Sequence, residues 1–147
     1  MPYALLQLDI SDRIATVTIN RPDKLNALND QMMGEIAAVF ADLATNAAVG
    51  VIILTGAGRA FVAGADIANI ATQSAETLET LSALGQRTFR AIERSPKPVI
   101  AAVNGFSLGG GCALALACPL RVAVDRAELR FPGVKPVLIP GSCGPQR

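Results

Sequence analysis

Polar and apolar residues alternate over residues 3–10 and again over 13–20, with Ser11-Asp12 between them. A period of two marks strands with one covered face, so the N-terminus predicts a β-hairpin. Residues 21–26 are a loop by composition. Asn29 or Asp30 then caps a predicted helix running to about Thr45, with Met32, Ile36, Val39, Phe40 and Leu43 on one face. Val51-Ile52-Ile53-Leu54 is wholly apolar, the pattern of a short strand covered on both sides. A glycine-rich loop, Gly56 to Gly64, follows it, and Asp66 is placed to cap a short helical turn. Ser74 opens a longer helix with Glu76 in its first turn and Leu78, Leu81, Phe89 and Ile92 on its apolar side. Pro96 and Pro98 end that helix and lead into a second buried strand at residues 98–103.

Asn104-Gly105 breaks the strand, and Leu108-Gly109-Gly110-Gly111 opens into a helix of small residues from Cys112 to Cys118. Strand, glycine turn and helix in this order leave backbone N–H groups free at a positive helix end, with no side chain to block a ligand. Such a place binds an anion, or an oxygen that becomes one during a reaction. Residues 120–124 and 127–131 predict two more strands, and the chain is proline-dense from Pro132. The predicted order is β-β-α-β-α-β-α-β-β, an α/β architecture with its ligand where the strands end.

Composition narrows the chemistry. At 147 residues, one domain covering 1–147 is the expectation. The chain is 51% hydrophobic but only 4% aromatic, so its core is aliphatic and alanine-rich. A net charge of +1 gives no electrostatic case for nucleic acid or an acidic membrane. No apolar run has the roughly 18 residues of a membrane span, and the N-terminus lacks a signal-peptide pattern. Cys112, Cys118 and Cys143 are odd in number and have no disulfide spacing, which fits a reducing, cytoplasmic setting. No metal site is expected.

Gly105-Phe106-Ser107-Leu108-Gly109 matches the G-x-S-x-G of serine hydrolases, but the chain has no histidine to act as the base, so Ser107 reads as a turn residue. Gly56-Ala57-Gly58 has Phe61 where a dinucleotide fingerprint needs its third glycine. A third reading pairs the loops: backbone N–H groups at Ala65 and Gly110 converging on one carbonyl oxygen as an oxyanion hole.

Asn20-Arg21-Pro22-Asp23-Lys24-Leu25-Asn26-Ala27-Leu28, Phe61-Val62-Ala63-Gly64-Ala65-Asp66-Ile67, residues 97–112 and Leu138-Ile139-Pro140-Gly141 with Gln146-Arg147 resemble, in order and at family spacing, the enoyl-CoA hydratase/isomerase (crotonase) family. The resemblance implies a spiral of β-β-α units, truncated before the family's C-terminal helical region. It also implies acyl-CoA thioesters as partners, with coenzyme A entering as part of the substrate and no separate cofactor. The thioester oxygen would lie between the amides of Ala65 and Gly110. Lys24, Ala27, Ala63, Asp66, Ile67 and Gly109 would line the substrate, with Lys24 near a phosphate and Asp66 acting as a helix cap. Family members form trimers or hexamers through C-terminal helices.

Two glutamates move protons in the family's hydratases, and this chain has Ala113 and Gly133 at those positions. Neither can carry a proton. Pro136, Val137, Cys143 and Pro145 also depart from the family pattern. The resemblance therefore implies hydratase-type handling of fatty acyl-CoA. Three alternatives stay open: a non-catalytic acyl-CoA-binding or subunit-interaction protein, an isomerase or decarboxylase of the same family, and a degenerate copy.

Overall fold

The computed structural model describes residues 3–132, 141 and 144–147. Gly133, Pro136, Val137, Leu138, Ile139, Pro140 and Cys143, all singled out above, lie outside the described residues. The N-terminal hairpin forms as β1 (Leu6–Ser11) and β2 (Ile14–Ile19), paired antiparallel with Leu6 opposite Ile19. A single 3-10 turn at Pro22–Lys24 precedes α1 (Asp30–Thr45), whose cap is Asn29: its side chain accepts from Met32 N at 2.9 Å. The face read from periodicity is the buried one, with Met32, Ile36, Val39, Phe40 and Leu43 at most 5% exposed.

After α1 the chain repeats a unit. β3 (Val51–Gly56) joins the hairpin, turns a corner, and β4 (Ala60–Val62) starts a second sheet before α2 (Ile67–Ala71) and α3 (Ala75–Glu93). β5 (Val99–Val103) returns to the first sheet, β6 (Phe106–Leu108) to the second, and α4 (Gly110–Ala117) follows. β7 (Leu120–Ala123) and β8 (Glu128–Arg130) begin the next turn. The result is a five-stranded sheet in the order β1-β2-β3-β5-β7 and a three-stranded parallel sheet β4-β6-β8. This is a spiral of β-β-α units. Its core is aliphatic: Val17, Ile19, Ile52, Leu54, Val99 and Ala101 of the large sheet are fully buried with Phe61, Phe89, Ile92 and Leu114.

Two readings are corrected. Residues 56–64 are not one loop, because β4 lies inside them. Ser107 is not a turn residue: it sits in β6 and is fully buried. In both places a three-residue strand stands between glycines. Runs that short carry no period, and only the neighbouring strand makes them β. The central helix also starts two residues early, at Gly110 rather than Cys112.

The glycines between strands are there for space. A Cβ on Gly105 would lie 2.0 Å from Arg59 O, and one on Gly56 would lie 2.3 Å from Ala60 O. The two β corners therefore stack backbone on backbone, which brings the ends of β4 and β6 side by side.

Candidate functional site

The corners are held by two asparagines. Asn104 Nδ2 donates to the carbonyls of Gly56 (2.8 Å), Gly58 (3.0 Å) and Ala60 (3.3 Å), and its Oδ1 accepts from Gly56 N at 3.2 Å. Asn26 is fully buried; its Nδ2 donates to Ala57 O and Ala60 O, both at 2.9 Å, and its Oδ1 accepts from Arg21 N at 2.9 Å. Asn26 and Leu25 adopt left-handed backbone, at φ 59° and 52°. Each such residue costs on the order of 1 kcal/mol or more and persists only where its surroundings hold it. Here the asparagine's own hydrogen bonds do so. Sequence reasoning assigned no role to either asparagine; the signal it passed over was a polar residue at a strand end and in the loop facing it.

The strained loop lays residues 25–28 along residues 63–66. Ala63 N donates to Leu25 O (3.0 Å), Leu28 N to Gly64 O (2.8 Å) and Asp66 N to Leu28 O (2.8 Å). Leu28 and Ala65 form an isolated parallel bridge. In a parallel bridge the opposed residue turns its own N–H and C=O to the far side. The Ala65 amide therefore points away from Leu28, and Ala65 is exposed. Gly64, at φ +118°, presses close to the end of β6: a Cβ there would lie 3.2 Å from Leu108 O.

Gly109 supplies the turn into α4. At φ 51° and ψ −112° it favours glycine, its N–H donates to Arg130 O (2.9 Å), and its own carbonyl accepts from Ala113 N (3.0 Å). Gly110 is the first residue of α4, so its amide is one of those a helix leaves without an internal acceptor. A Cβ on Gly110 would come within 3.9 Å of Ala65 N and 3.2 Å of Leu28 Cδ1. Among the described residues neither the Ala65 nor the Gly110 amide has a hydrogen-bond acceptor. Two free amides from different loops thus border one small space, one of them at the positive end of a helix.

The other sequence candidates fall around this space unevenly. Asp66 caps α2, accepting from Asn69 N (3.3 Å), and pairs with Arg21 at 2.7 Å. The hydrogen bond from Arg21 holds its carboxyl below the usual aspartate value against the opposing effect of burial. Ile67 opens α2 and is 58% exposed. Lys24 is exposed at the end of the 3-10 turn, and Ala27 is half-buried beside it. Ala113 lies one turn into α4 and is only 2% exposed; a Cβ on Gly144 would stand 2.9 Å from its methyl. Burial raises the Cys112 thiol and pushes Cys118 up to about 12, so both stay protonated at neutral pH. Glu128 is an exposed carboxylate paired with Arg130 at 3.1 Å. Among the described residues no group of three His, Cys, Asp or Glu stands together to hold a metal. No helix among them is long and apolar enough to cross a membrane.

The enoyl-CoA hydratase/isomerase family model matches residues 9–147. The chain belongs to this family. It is 45% identical over 148 residues to the crotonyl-CoA hydratase of Syntrophomonas wolfei, an alignment that covers 100% of this chain and 57% of that protein. It is 43% identical over 141 residues to the short-chain-enoyl-CoA hydratase of Clostridium acetobutylicum, covering 95% and 54%. The crystal structure of enoyl-CoA hydratase from Bacillus anthracis superposes with a TM-score of 0.92 at 34% identity, over 97% of this chain and 56% of that one. The Geobacillus kaustophilus structure gives 0.91 at 40% identity, over 99% and 56%. This family member therefore has the crotonase-like spiral and spans just over half the length of the relatives it matches.

Proposed function

We propose that this chain binds the thioester of an acyl-CoA and polarises its carbonyl between the amides of Ala65 and Gly110, in enoyl-CoA hydratase-type chemistry. The observation that carries the proposal is the pair of amides, Ala65 and Gly110, that have no acceptor among the described residues and border one space from two different loops. Hydration adds the oxygen of water to the β-carbon of the enoyl group and a proton to the α-carbon. Between those events negative charge gathers on the thioester oxygen. Two fixed N–H donors stabilise that charge more than they stabilise the ground-state carbonyl, and each is worth roughly 3 kcal/mol of barrier. The relatives named as crotonyl-CoA and short-chain enoyl-CoA hydratases support a short enoyl chain as substrate. Gly109, Ala63, Ala27 and Ile67 offer the surface along which it would lie, and Lys24 offers a cation for a phosphate of coenzyme A.

One observation favours a second reading. Ala113 is buried against Gly144 and carries no ionisable group where a proton-moving glutamate would serve. In that reading the chain holds and polarises an acyl-CoA without turning it over. Incubation with crotonyl-CoA separates the two. Formation of 3-hydroxybutyryl-CoA supports hydratase chemistry; saturable binding without product supports the non-catalytic reading; a folded chain that does not bind crotonyl-CoA overturns both.

A further inference from the structure

The bridge that aims the Ala65 amide is short. Three hydrogen bonds join the two loop segments, Ala63 N to Leu25 O, Leu28 N to Gly64 O and Asp66 N to Leu28 O; only the last two flank Ala65, and on the facing segment Leu25 and Asn26 hold left-handed backbone. A lone bridge of this kind frays unless something outside it fixes both sides. Arg21 is in that position. Its Nη1 donates to Ala27 O at 3.2 Å on one segment and to Asp66 Oδ2 at 2.7 Å on the other. Ala27 precedes the bridged Leu28, and Asp66 follows the bridged Ala65. Both side chains are largely buried, at 18% and 16% exposure, so the pair is screened less than a surface ion pair.

Asp66 divides its two oxygens. Oδ1 accepts from Asn69 N as the cap of α2, and Oδ2 takes Arg21. The cap alone would fix α2 but would give Asp66 no side-chain link to Ala27 across the bridge. Arg21 is anchored in its turn: its N–H donates to Asn26 Oδ1 at 2.9 Å, and its carbonyl accepts from Asn26 N at 2.9 Å. A rigid guanidinium thus grips a rigid loop, and the grip closes across the bridge.

We infer that Arg21 is a positioning residue for the Ala65 amide: by clasping Ala27 O and Asp66 across the Leu28–Ala65 bridge, it holds that N–H toward Gly110. The inference rests on the reading of the two amides as an oxygen-binding pair. Arg21 itself touches no reacting atom. Its loss should weaken polarisation of a bound thioester while leaving the grip on the rest of coenzyme A.

Arg21→Met, Arg21→Lys and Asp66→Asn in the full chain test this against wild type. Acetoacetyl-CoA titration reads enolate absorbance at saturation, titration with free coenzyme A reads binding away from the thioester, and amide exchange reads the bridge. Arg21→Met is expected to lose about tenfold in enolate amplitude, with coenzyme A affinity within about twofold of wild type. Exchange at Leu28 and Asp66 should quicken about tenfold while Val17 and Leu54 in the main sheet hold their rates. Arg21→Lys, which keeps a donor and a charge, should recover most of the amplitude. Should Arg21→Met fail to fold, Asp66→Asn breaks the ion pair, keeps a cap oxygen, and should shift both readouts in the same direction. Full amplitude and unchanged exchange in the folded variants would overturn the inference. A wild-type chain that binds the thioester with no enolate absorbance would instead overturn the amide-pair reading, and Arg21 would then position nothing catalytic.

Discussion

At the residue scale, the proposed site depends on groups that have no side-chain chemistry. Ala65 and Gly110 contribute amides, and the polar side chains around them place those amides. Asp66 shows the electrostatic consequence. Its carboxyl titrates lower in the folded chain than in the unfolded chain, first because of the Arg21 hydrogen bond. A group with a depressed folded pKa adds stability that is fully present above its unfolded value, about 3.9, and is lost as pH falls through the folded value. Asp66→Asn should therefore lower the melting temperature at pH 6 and bring it closer to wild type by pH 3. A difference that stays constant between pH 6 and pH 3, measured by thermal unfolding, would contradict this origin.

The local geometry around the candidate site was partly legible at this scale. Glycines at 109–111 after an apolar strand pointed to a helix N-terminus, and Asp66 was read as a cap, which it is. Asn26 and Asn104 were not legible. Their importance comes from facing the Ala60 carbonyl from two distant parts of the chain, and nothing local to either residue reports that meeting.

At the element scale, α4 packs close to the small sheet because neighbouring glycines do different work. A Cβ on Gly111 would lie 2.0 Å from Val62 O and 2.7 Å from Val62 Cβ, so backbone would have to move. A Cβ on Gly110 meets only a movable Leu28 methyl and the rim of the amide space. Gly111→Ala should thus cost about 1–3 kcal/mol of folding stability, or more, by overpacking. Gly110→Ala should cost under about 1 kcal/mol and still obstruct the space beside Ala65 N. Denaturant unfolding of the two variants side by side checks the contrast, and equal losses would count against it. The long helices and the strands β2, β3 and β5 follow from period and apolar runs, as their buried faces show. The second sheet does not, because three-residue strands such as Ala60–Val62 become β only by pairing across the corner.

At the scale of the whole molecule, the spiral buries one face of β2, β3 and β5 in its large sheet, while the described residues of β7 are exposed. Leu120, Val122, Val124 and Leu129 are 54%, 60%, 40% and 40% exposed. β7 pairs with β5 on one side only among the described residues. An apolar strand with an unpaired edge invites other chains. Val122→Lys should reduce concentration-dependent association of this chain in light scattering without lowering its melting temperature; unchanged scattering would show that the edge is not the source.

The central claim is that two backbone amides in this chain meet one thioester oxygen. The direct measurement is titration with acetoacetyl-CoA, whose enolate absorbs when its oxygen receives such donors, on wild type, Gly110→Ala and Gly110→Pro. Proline suits the first position of a helix and removes the N–H, but its ring also enters the space beside Ala65 N; Gly110→Ala adds the same Cβ while keeping the N–H, so a larger loss in Gly110→Pro than in Gly110→Ala isolates the donor. A saturable enolate signal in wild type, lost in a folded Gly110→Pro chain and lost less in Gly110→Ala, is the result expected. Thioester binding with no enolate signal in wild type, or the same signal in Gly110→Pro as in Gly110→Ala, would contradict it.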